Sequence, residues 1–468
     1  MVFSSPLFIC LFLPAALLFH LILPPKVRNL WLLLVSILFY AWGEPKYIII
    51  LLATTVFDYC SGLLLGCAGA QGKKTLSKAI LAVTVAANIG CLCFFKYTDL
   101  VVSSLNGLFS AGLPVLEIAL PIGISFYTFQ TLSYVIDVYR GRVSVQKNFC
   151  DFFMFVTLFP QLIAGPIVRY SDIESEISER HVTASDFADG VCRFCIGLGK
   201  KALLANSMAE IVKSAAEGEM TVVLAWCSAL AFMFEIYFDF SGYSDMAIGI
   251  GQMLGFRFPE NFRYPYEADS ITDFWRRWHI TLSSWFREYL YIPLGGNRRG
   301  RPRQILNLFI VWSLTGLWHG GAWNFLFWGL YFFVILMLEK LFLLRVLEKL
   351  PSVLRHLYAL VLIFFGWVLF AGDETGKLVS SLRAMFGIGV SFTSERSIFI
   401  LTGAAALFII CAAASTHYPA RLMNKLTGKI QSADVRFLIK GIICLLALTL
   451  SVAFLIGDSY NPFLYFRF

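Results

Sequence analysis

Charged residues are scarce in this sequence. Asp, Glu, Lys and Arg make up 15% of its 468 residues, whereas soluble domains carry about 25%. Hydrophobic residues account for 58% of the chain, and its mean hydropathy is +0.72. This composition excludes an ordinary soluble domain and indicates an integral membrane protein.

Motifs for metal, nucleic-acid and redox chemistry are also missing. The sequence contains no metal-ligand cluster and no nucleic-acid module, so we expect no metal, no tightly bound cofactor and no nucleic-acid partner. Most of the 11 cysteines lie in apolar runs, where cysteine acts as a small hydrophobe. Cys192 and Cys195 have redox-pair spacing but lack the thioredoxin-like pattern around them, so we expect no redox function.

Long apolar stretches are what the sequence has instead. A transmembrane helix needs about 20 apolar residues to cross a hydrocarbon layer about 30 Å thick. We therefore predict an all-α polytopic membrane protein of roughly ten or more spans, folded as one domain over residues 1–468. The stretches lie at residues 7–23, 30–42 with 47–65, 79–95, 149–163, 221–238, 304–338, 358–370, 398–414 and 437–456. The first is expected to be a retained span rather than a signal peptide, because no basic segment precedes it.

Three charged loops interrupt these stretches. Residues 71–78 and 295–303 are basic, and the net charge of the chain is +8. Because Lys and Arg accumulate in short cytoplasmic loops, we expect both loops on the cytoplasmic side of the cell (inner) membrane, although binding of an anionic ligand stays open as an alternative. Residues 170–190 are too densely charged to cross a membrane and link two embedded parts, with His181 on the surface.

A fourth polar segment, residues 256–303, predicts an interfacial amphipathic helix. Ser270 and Asp273 resemble a capping box at its start. Its polar face carries Asp273, Arg276, Arg277, Ser284 and Arg287, and its apolar face carries Phe274, Trp278, Leu282, Trp285 and Tyr289. His279 lies on the border, beside Trp275, and is either an interfacial ring or a functional group.

Three acids lie in an apolar, aromatic stretch at residues 232–251. They are Glu235, Asp239 and Asp245. Ionisable groups in membrane segments cost about 2.5–3.5 kcal/mol on insertion scales and usually face a cavity or a partner. Ser241 and Gly242 predict a helix break between the two aspartates. The alternative is that one or more of the acids pairs with Arg276 or Arg277.

The stretch at residues 304–338 is uncharged but contains one titratable ring, His319. As one helix it would be about 52 Å long, which is too long for one perpendicular crossing. Gly316, Gly320 and Gly321 allow it to bend or split near His319. A ring with an ordinary pKa near 6.5 in a water-poor cavity suits a general base. A satisfied core histidine is the equally weighted alternative.

The sequence ends in an aromatic, apolar stretch, "NPFLYFRF" at residues 461–468. Chain ends are normally polar and frayed. Tyr465 is therefore either part of an interfacial anchor or a hydroxyl that enters a functional site.

Taken together, these segments resemble the membrane-bound O-acyltransferase family, in particular its bacterial alginate O-acetyltransferase-like branch. Relatives in that branch acetylate peptidoglycan or cellulose or D-alanylate teichoic acid. The resemblance spans the chain and rests on "MVFSSPLF" at the start, "LLVSILFYAWGEPKY" (33–47), "PIGISFYTFQTLSYVIDVYRG" (121–141), "LFPQLIAGPIVRY" (158–170), "YFDFSGYSDMAIG" (237–249), "DFWRRWHITLSSWFREYLYIPLGGNR" (273–298) and "TGLWHGGAWNFLFWG" (315–329).

The resemblance implies a bundle of transmembrane helices, with re-entrant and interfacial helices, around a central tunnel from a cytoplasmic donor entrance to an outer acceptor side. His319 matches the family's near-invariant histidine, and His279 matches a second position. Tyr465 lies in "FLYFRF", which looks like a motif whose tyrosine takes up the acyl group. As catalytic residues we therefore expect His319 as general base, His279 to polarise the donor carbonyl or orient His319, and Tyr465 as a covalent relay.

The implied donor is a cytoplasmic acyl thioester, acetyl-CoA, bound as a co-substrate. Its phosphates are expected to meet basic residues of the loop at 295–303, namely Arg298, Arg299 and Arg301. Side chains expected to line the tunnel are Asp239, Asp245, Trp275, Arg276, Arg277, Trp318 and Asn324.

Final transfer to a cell-surface polysaccharide is implied to need a partner, an extracytoplasmic SGNH-type acyltransferase, because this chain has no Ser-His-Asp hydrolase domain. Two alternatives stay open. One is a member of the family that acylates a lipid, protein or teichoic acid acceptor directly. The other is a non-catalytic transporter or flippase, which would move its substrate without cleaving a thioester.

Overall fold

The structure is a computed structural model that describes residues 1–372, 375–430, 432–457 and 463–464. Every regular element in these residues is helical, which confirms the all-α prediction. Packing divides the chain into two compact units. The first unit is Met1–Phe194 with Tyr243–Glu260, and the second is Cys195–Gly242 with Asn261–Phe468. The single domain over residues 1–468 stays a prediction.

The first unit is built from closely packed helices. They are α1 (Leu13–Ile22), α2 (Pro25–Gly43), α3 (Ile48–Ala70), α4 (Lys74–Phe109), α5 (Ile124–Tyr139), α6 (Phe149–Thr157), α7 (Phe159–Leu162), α8 (Tyr170–Ser178) and most of α9 (Ala184–Gly199). α3 packs against both α4 and α5. A Cβ on Gly62 would lie 2.7 Å from the Tyr134 ring, so the missing side chain permits the close approach of α3 and α5.

The second unit contains the histidines of interest. Its helices are α10 (Asn206–Ala216), α11 (Val222–Met253, whose residues beyond Gly242 count with the first unit), α12 (Ile271–Arg277), α13 (Ile280–Phe286), α14 (Arg301–His319), α15 (Trp323–Leu338), α16 (Leu344–Leu347), α17 (Ser352–Ala371), α18 (Thr375–Met385), α19 (Glu395–Ala414), α20 (Tyr418–Gly428) and α21 (Ala433–Gly457). π-helical segments at Lys200–Ala205, Arg287–Tyr291 and Glu339–Leu343 extend α9, α13 and α15.

Six helices among the described residues are long and apolar enough to cross a membrane. They are Ile48–Ala70, Lys74–Phe109, Val222–Met253, Ser352–Ala371, Glu395–Ala414 and Asp434–Gly457, and each overlaps a predicted stretch. The predicted count of ten or more is not confirmed. The stretch at residues 149–163 shows one reason, because it forms the short helices α6 and α7, and its Phe152 and Phe155 are fully buried in protein. Hydropathy does not distinguish such a core helix from a lipid-facing one.

The predicted helix break at Ser241–Gly242 is wrong, because α11 is continuous from Val222 to Met253. The glycine serves close packing instead. A Cβ on Gly242 would lie 2.7 Å from the carbonyl oxygen of Gly197 and 3.1 Å from the backbone nitrogen of Lys201. Gly242 therefore lets α11 approach the backbone of α9 and its π-helical extension.

The uncharged stretch at residues 304–338 folds as a helical hairpin, which confirms the predicted split near His319. α14 ends at His319, Gly320 is extended with φ −168° and ψ 155°, and α15 begins at Trp323. Cβ atoms on Gly316 and Gly329 would collide with the carbonyl oxygens of Phe325 and Trp312, respectively. These glycines allow the two helices to pack antiparallel at short range, with His319 at the tip of the hairpin.

The segment after Ser270 forms two short helices rather than the single amphipathic helix predicted. Ser270 caps α12, since its Oγ accepts a hydrogen bond from the Asp273 amide at 3.1 Å. The chain breaks at His279 before α13 begins. The predicted apolar face is nevertheless buried, at Phe274, Trp278, Leu282, Trp285 and Tyr289. Helical periodicity identified the buried face but not the residue at which the helix is interrupted.

Candidate active site

His319 lies in an aromatic cage within the second unit. Its exposed fraction is 3%. Its ring centroid lies 5.1 Å from that of Trp318, 4.9 Å from that of Trp328 and 5.5 Å from that of Phe370. Large aromatic rings exclude water from this position, so hydrogen bonds and charges at His319 act in a low-dielectric environment.

His279 lies close by and has an unusual backbone conformation. Its φ and ψ are 43° and 54°, in the left-handed region, and its exposed fraction is 1%. Its ring centroid lies 5.9 Å from that of Trp318, a neighbour of both histidines, and 4.7 Å from that of Phe240. A left-handed residue other than glycine is uncommon, and such strain is concentrated at functional sites. The turn between α12 and α13 thus directs the ring into the protein.

Asn261 holds the ring of His279 in one tautomer. Its Oδ1 lies 3.0 Å from His279 Nδ1 and also accepts hydrogen bonds from the Oγ1 and the backbone amide of Thr281, at 2.8 and 3.4 Å. Because a backbone amide can only donate, the atom facing it is the amide oxygen of Asn261. His279 Nδ1 therefore carries the proton, and Nε2 presents a lone pair.

The electrostatic state of His279 follows from its burial. Burial lowers the pKa of His279 from 6.5 to about 3, so the ring is neutral at neutral pH. In the described part of the chain Nε2 is buried and has no hydrogen-bond partner. A buried acceptor without a partner is costly. His279 Nε2 can therefore accept a hydrogen bond from a substrate hydroxyl or from the N–H of a neighbouring group.

Glu339 fixes the helix that leads to His279. Its carboxylate accepts hydrogen bonds from the amides of Ile271 and Thr272, both at 2.7 Å, and from the Tyr358 hydroxyl at 3.1 Å. These amides belong to the first turn of α12, where a negative charge is stabilised by the helix dipole. Glu339 is itself 1% exposed. The position of α12, and with it the turn at His279, is therefore strongly constrained.

Three other predicted site residues are packed around the histidines. Trp318 contacts both rings, as described above. Trp275 contacts Trp328, with centroids 5.6 Å apart, and Trp328 in turn contacts His319. Asn324 Nδ2 donates to the carbonyl oxygen of Phe370 at 3.2 Å. Trp318, Trp275 and Asn324 thus belong to the same aromatic environment as His319.

Asp239 is also in the second unit, in a buried ion pair. Its Oδ1 lies 2.6 Å from Lys201 Nζ, and its Oδ2 accepts a hydrogen bond from the backbone amide of Leu464 at 2.7 Å. The Phe463 ring lies 5.7 Å from that of Phe240, the residue after Asp239. Two residues of the C-terminal stretch are thus held beside Asp239 and Phe240. Tyr465 lies outside the described residues.

The remaining predicted tunnel residues have other neighbours. Asp245 belongs to the first unit, where it lies 2.9 Å from Arg193. Arg277 pairs with Asp273 at 2.8 Å, and Arg276 is exposed. Asp239 and Asp245 are thus seen paired with Lys201 and Arg193, and the alternative pairing of the acids with Arg276 or Arg277 stays a prediction. The tunnel role of Asp245, Arg276 and Arg277 stays a prediction.

The predicted donor-phosphate residues lie far along α14 from His319. Arg298 and Arg299 are exposed on the loop that leads into the helix, and Arg301 is exposed at its first position. Arg301 begins α14 and His319 ends it, a separation of about 27 Å along the axis. Side chains at the two ends therefore cannot contact the same small group, and only an extended ligand reaches both.

The sequence analysis did not identify Asn261, Lys201 or Glu339. Asn261 comes from an irregular loop without periodicity. Lys201 could have been identified, because a lysine beside the apolar segment 202–205 predicts a charged or polar partner. Glu339 lies directly after the uncharged stretch, where it resembles an ordinary helix-flanking charge.

Comparison with known proteins identifies the family of the chain. Residues 142–373 match the model of the MBOAT, membrane-bound O-acyltransferase family. The chain is 38% identical over 501 residues to the "probable alginate O-acetylase AlgI" of Azotobacter vinelandii, covering all of both chains. It is 42% identical over 408 residues to the protein of the same name in Pseudomonas aeruginosa, covering 86% of this chain and 78% of that one.

A relative named for peptidoglycan acetylation is similar over nearly the same length. The chain is 34% identical over 517 residues to the "peptidoglycan O-acetyltransferase" of Helicobacter pylori, covering all of this chain and 98% of that one. The match thus extends well beyond the segment recognised by the family model.

Proposed function

The chain belongs to the membrane-bound O-acyltransferase family, and on that premise we propose that it takes an acetyl group from cytoplasmic acetyl-CoA and passes it outward for O-acetylation of a polysaccharide. It is a multi-pass membrane O-acyltransferase. Relatives named for alginate and peptidoglycan O-acetylation support acetyl as the group and a polysaccharide as the final acceptor. The basic loops at residues 71–78 and 295–303 support placement in the cell (inner) membrane.

The observation that carries the proposal is the pair of buried histidines beside Trp318. A hydroxyl is a poor nucleophile unless a base removes its proton during attack. His319 and His279 provide imidazole rings in an aromatic, water-poor environment, at 3% and 1% exposure. Exclusion of water also protects a thioester or an acyl intermediate from hydrolysis.

The acetyl group then passes from the thioester to the hydroxyl in a single step. The imidazole of His319 takes the proton of the acceptor hydroxyl as its oxygen attacks the thioester carbonyl carbon. The carbon–sulfur bond breaks, the thiolate of CoA leaves, and the proton held by His319 passes to it. The products are an O-acetyl ester and CoA thiol. Such positioned proton transfer contributes about 10²–10⁴-fold.

The hydrogen bonds of His279 favour one of its two predicted roles. Polarising the donor carbonyl would require a donated N–H, but its Nδ1–H is committed to Asn261 and Nε2 carries the lone pair. Nε2 is suited instead to accept a hydrogen bond from His319 or from the incoming hydroxyl. We therefore assign His279 an orienting, proton-accepting role.

Tyr465 is the proposed first acceptor. A phenol, with an ordinary pKa of about 10, needs a neighbouring base to attack a thioester. Support comes from Leu464, the residue before it, whose amide is bound in the unit that holds both histidines. From the acetylated tyrosine, transfer to the polysaccharide is assigned to an SGNH-type partner. A purified single chain that acetylates polysaccharide unaided would overturn the need for that partner.

Cleavage of the thioester tests the proposal directly. Purified protein in proteoliposomes receives acetyl-CoA that carries separate isotopes in the acetyl group and in CoA. We expect free CoA thiol to appear and the acetyl label to be retained on protein. A transporter would move both labels together with the thioester intact, and this result would reject the enzymatic proposal. Empty liposomes are the control for spontaneous hydrolysis.

Substitution of Asn261 tests the assigned tautomer. Asn261→Leu removes the acceptor for His279 Nδ1–H, and we expect thioester cleavage to slow by at least about tenfold. Asn261→Asp keeps an acceptor but adds a negative charge, which raises the pKa of His279 from about 3. Because the site needs the neutral ring, the acidic limb of the pH–rate profile should move to higher pH.

The matched control for both variants is Asn424→Leu, at an exposed position of α20. It should retain the rate and pH profile of the wild type. An acidic limb in Asn261→Asp that coincides with that of the wild type would contradict the assigned role of His279.

A further inference from the structure

Helix α20 presents apolar and cationic side chains next to one another, and none of its residues is buried. At about 100° per residue, its apolar side chains share one face and its cations follow one edge of that face. The exposed apolar residues are Leu422, Met423 and Leu426. The exposed cations are Arg421 and Lys425 within the helix and Lys429 just after it. This pattern is typical of a helix that lies on a membrane surface.

The position of α20 in the chain places it at such a surface. α20 follows the candidate span α19 after residues 415–417, and the next candidate span begins at Asp434. Connections this short keep α20 close to the ends of both spans. Residues 415–433 contain three Lys or Arg residues and no Asp or Glu, which favours the cytoplasmic side. The cytoplasmic leaflet is rich in anionic lipids, which attract basic segments.

A groove of about 580 Å³ adjoins the apolar face and the cationic edge of α20. Ala413 lines the groove from α19, and Leu422, Arg421 and Lys425 line it from α20. Residues four positions apart on a helix are neighbours on its surface, so Arg421 and Lys425 stand side by side. The groove thus combines apolar walls with two adjacent positive charges, which is the chemistry that an acyl chain and a phosphate require.

The charges of Arg421 and Lys425 are not compensated within the described part of the protein. Neither side chain forms an ion pair or a hydrogen bond there. Arg355, by contrast, lies 3.2 Å from the carboxylate of Asp269 in the same unit. Guanidinium and ammonium groups bind phosphate oxygens through charge-assisted hydrogen bonds. Both cations of α20 are therefore available to an anionic ligand.

His417 fixes the start of α20 to the rest of the second unit. Its backbone amide donates a hydrogen bond to Glu267 Oε1 at 2.8 Å, and its Nδ1 lies 2.5 Å from the same oxygen. Glu267 also lies 3.8 Å from Arg277, in the last turn of α12. The protein itself therefore sets the direction of the cationic edge, which makes α20 a built site rather than a loosely attached helix.

We propose that α20 and its groove bind an anionic phospholipid of the cytoplasmic leaflet, with the phosphate between Arg421 and Lys425 and an acyl chain along Leu422. A zwitterionic lipid lacks the net negative charge that the two cations attract. A soluble phosphate lacks the acyl chain that the apolar groove accepts. The site makes no use of the histidines, so it stands or fails independently of the proposed acetyl transfer.

Two photoactivatable lipids test the proposal on the full chain in nanodiscs of phosphatidylcholine. Each probe carries a diazirine on its acyl chain, and its head group is either phosphatidylglycerol or phosphatidylcholine. Mass spectrometry measures the labelling of residues 411–430 at equal trace amounts of each probe. Because each cation near anionic lipid contributes about fivefold in binding, we expect the phosphatidylglycerol probe to label this segment at least about tenfold more. Equal labelling by the two probes would overturn the proposal.

Substitution of the two cations tests their role. Arg421→Gln with Lys425→Gln should reduce the labelling ratio of the two probes to about one, whereas Arg421→Lys with Lys425→Arg keeps both charges and should keep the ratio. The matched control is Lys73→Gln with Lys74→Gln, which removes the same charge from exposed positions of the other basic loop. It should also keep the wild-type ratio. A high ratio that persists in the double Gln variant of α20 would contradict the assigned phosphate site.

Competition distinguishes a lipid phosphate from a soluble one. Excess unlabelled phosphatidylglycerol should reduce labelling by its probe, whereas inorganic phosphate or CoA at constant ionic strength should not. Loss of labelling in the presence of CoA would assign Arg421 and Lys425 to a soluble phosphate ligand and overturn the lipid site. These measurements need no acetyl transfer, so failure of the lipid site and failure of the proposed enzymatic function are seen in different experiments.

Discussion

Replacing His319 with alanine is expected to lower acetyl transfer from acetyl-CoA by about 10²–10⁴-fold, the contribution of a positioned general base. The ring is 3% exposed in a cage of Trp318, Trp328 and Phe370. Because water is excluded there, solvent does not readily replace the lost base. The measurement is the initial rate of CoA thiol release, with retained acetyl label followed in parallel by peptide mass spectrometry.

The control for His319→Ala is His181→Ala. The His181 side chain is 85% exposed on the charged loop between α8 and α9, so its loss should leave the rate unchanged. Both proteins should elute as the wild type does on size exclusion, which checks that the cage has not collapsed around the missing ring. A His319→Ala protein that transfers acetyl within a few-fold of the wild-type rate would exclude His319 as the base and transfer that role to His279.

Tyr465→Phe is expected to reduce acetyl labelling of the C-terminal peptide to below detection. The substitution removes only the hydroxyl oxygen and keeps an aromatic ring of the same size at this position. Without the phenol, no ester can form at this position, and the outward transfer of acetyl should stop. The measurement is peptide mass spectrometry after incubation of purified protein with acetyl-CoA, with wild type, His319→Ala and Tyr465→Phe treated side by side.

The matched control here is Tyr418→Phe, at the exposed start of α20. It should be labelled at Tyr465 to the wild-type extent. An acetyl mass that persists on the C-terminal peptide of Tyr465→Phe would assign the modification to another residue and reject the relay. If the wild type releases CoA in a His319-dependent way but carries no acetyl adduct, the enzymatic function is supported and the Tyr465 relay is rejected. The acetyl group would then pass directly to an external acceptor.

Local sequence properties predicted much of the architecture. The six candidate spans overlap apolar stretches read from the sequence, because burial in lipid selects for long uncharged runs. The split at His319 followed from the length of the uncharged stretch and its glycines. Ser270 was identified as the helix cap from residue type and spacing. Each of these features depends on residues close together in the chain.

Errors arose where packing between distant segments decided the outcome. Ser241 and Gly242 suggested a broken helix, but the glycine is required because Gly197 and Lys201 pack against it. The apolar run at residues 149–163 suggested a span, but α6 is short and its residues 152–157 are all buried in protein. The helix after Ser270 was predicted to continue through His279, where the chain instead adopts a left-handed turn held by Asn261, 18 positions earlier.

By itself the sequence determined that this protein is an all-helical membrane protein that resembles the O-acyltransferase family, and it predicted His319, His279 and Tyr465 as catalytic residues. Only the tertiary structure decided which atoms of the buried polar side chains His279 and Asp239 have partners. The Nδ1 proton of His279 is committed because Asn261 faces it, and the carboxylate of Asp239 is directed to Leu464 because Lys201 neutralises its other oxygen. Such pairings join residues far apart in the chain, and no local propensity or periodicity encodes them, because their free energy exists only once the protein has folded and removed both partners from water.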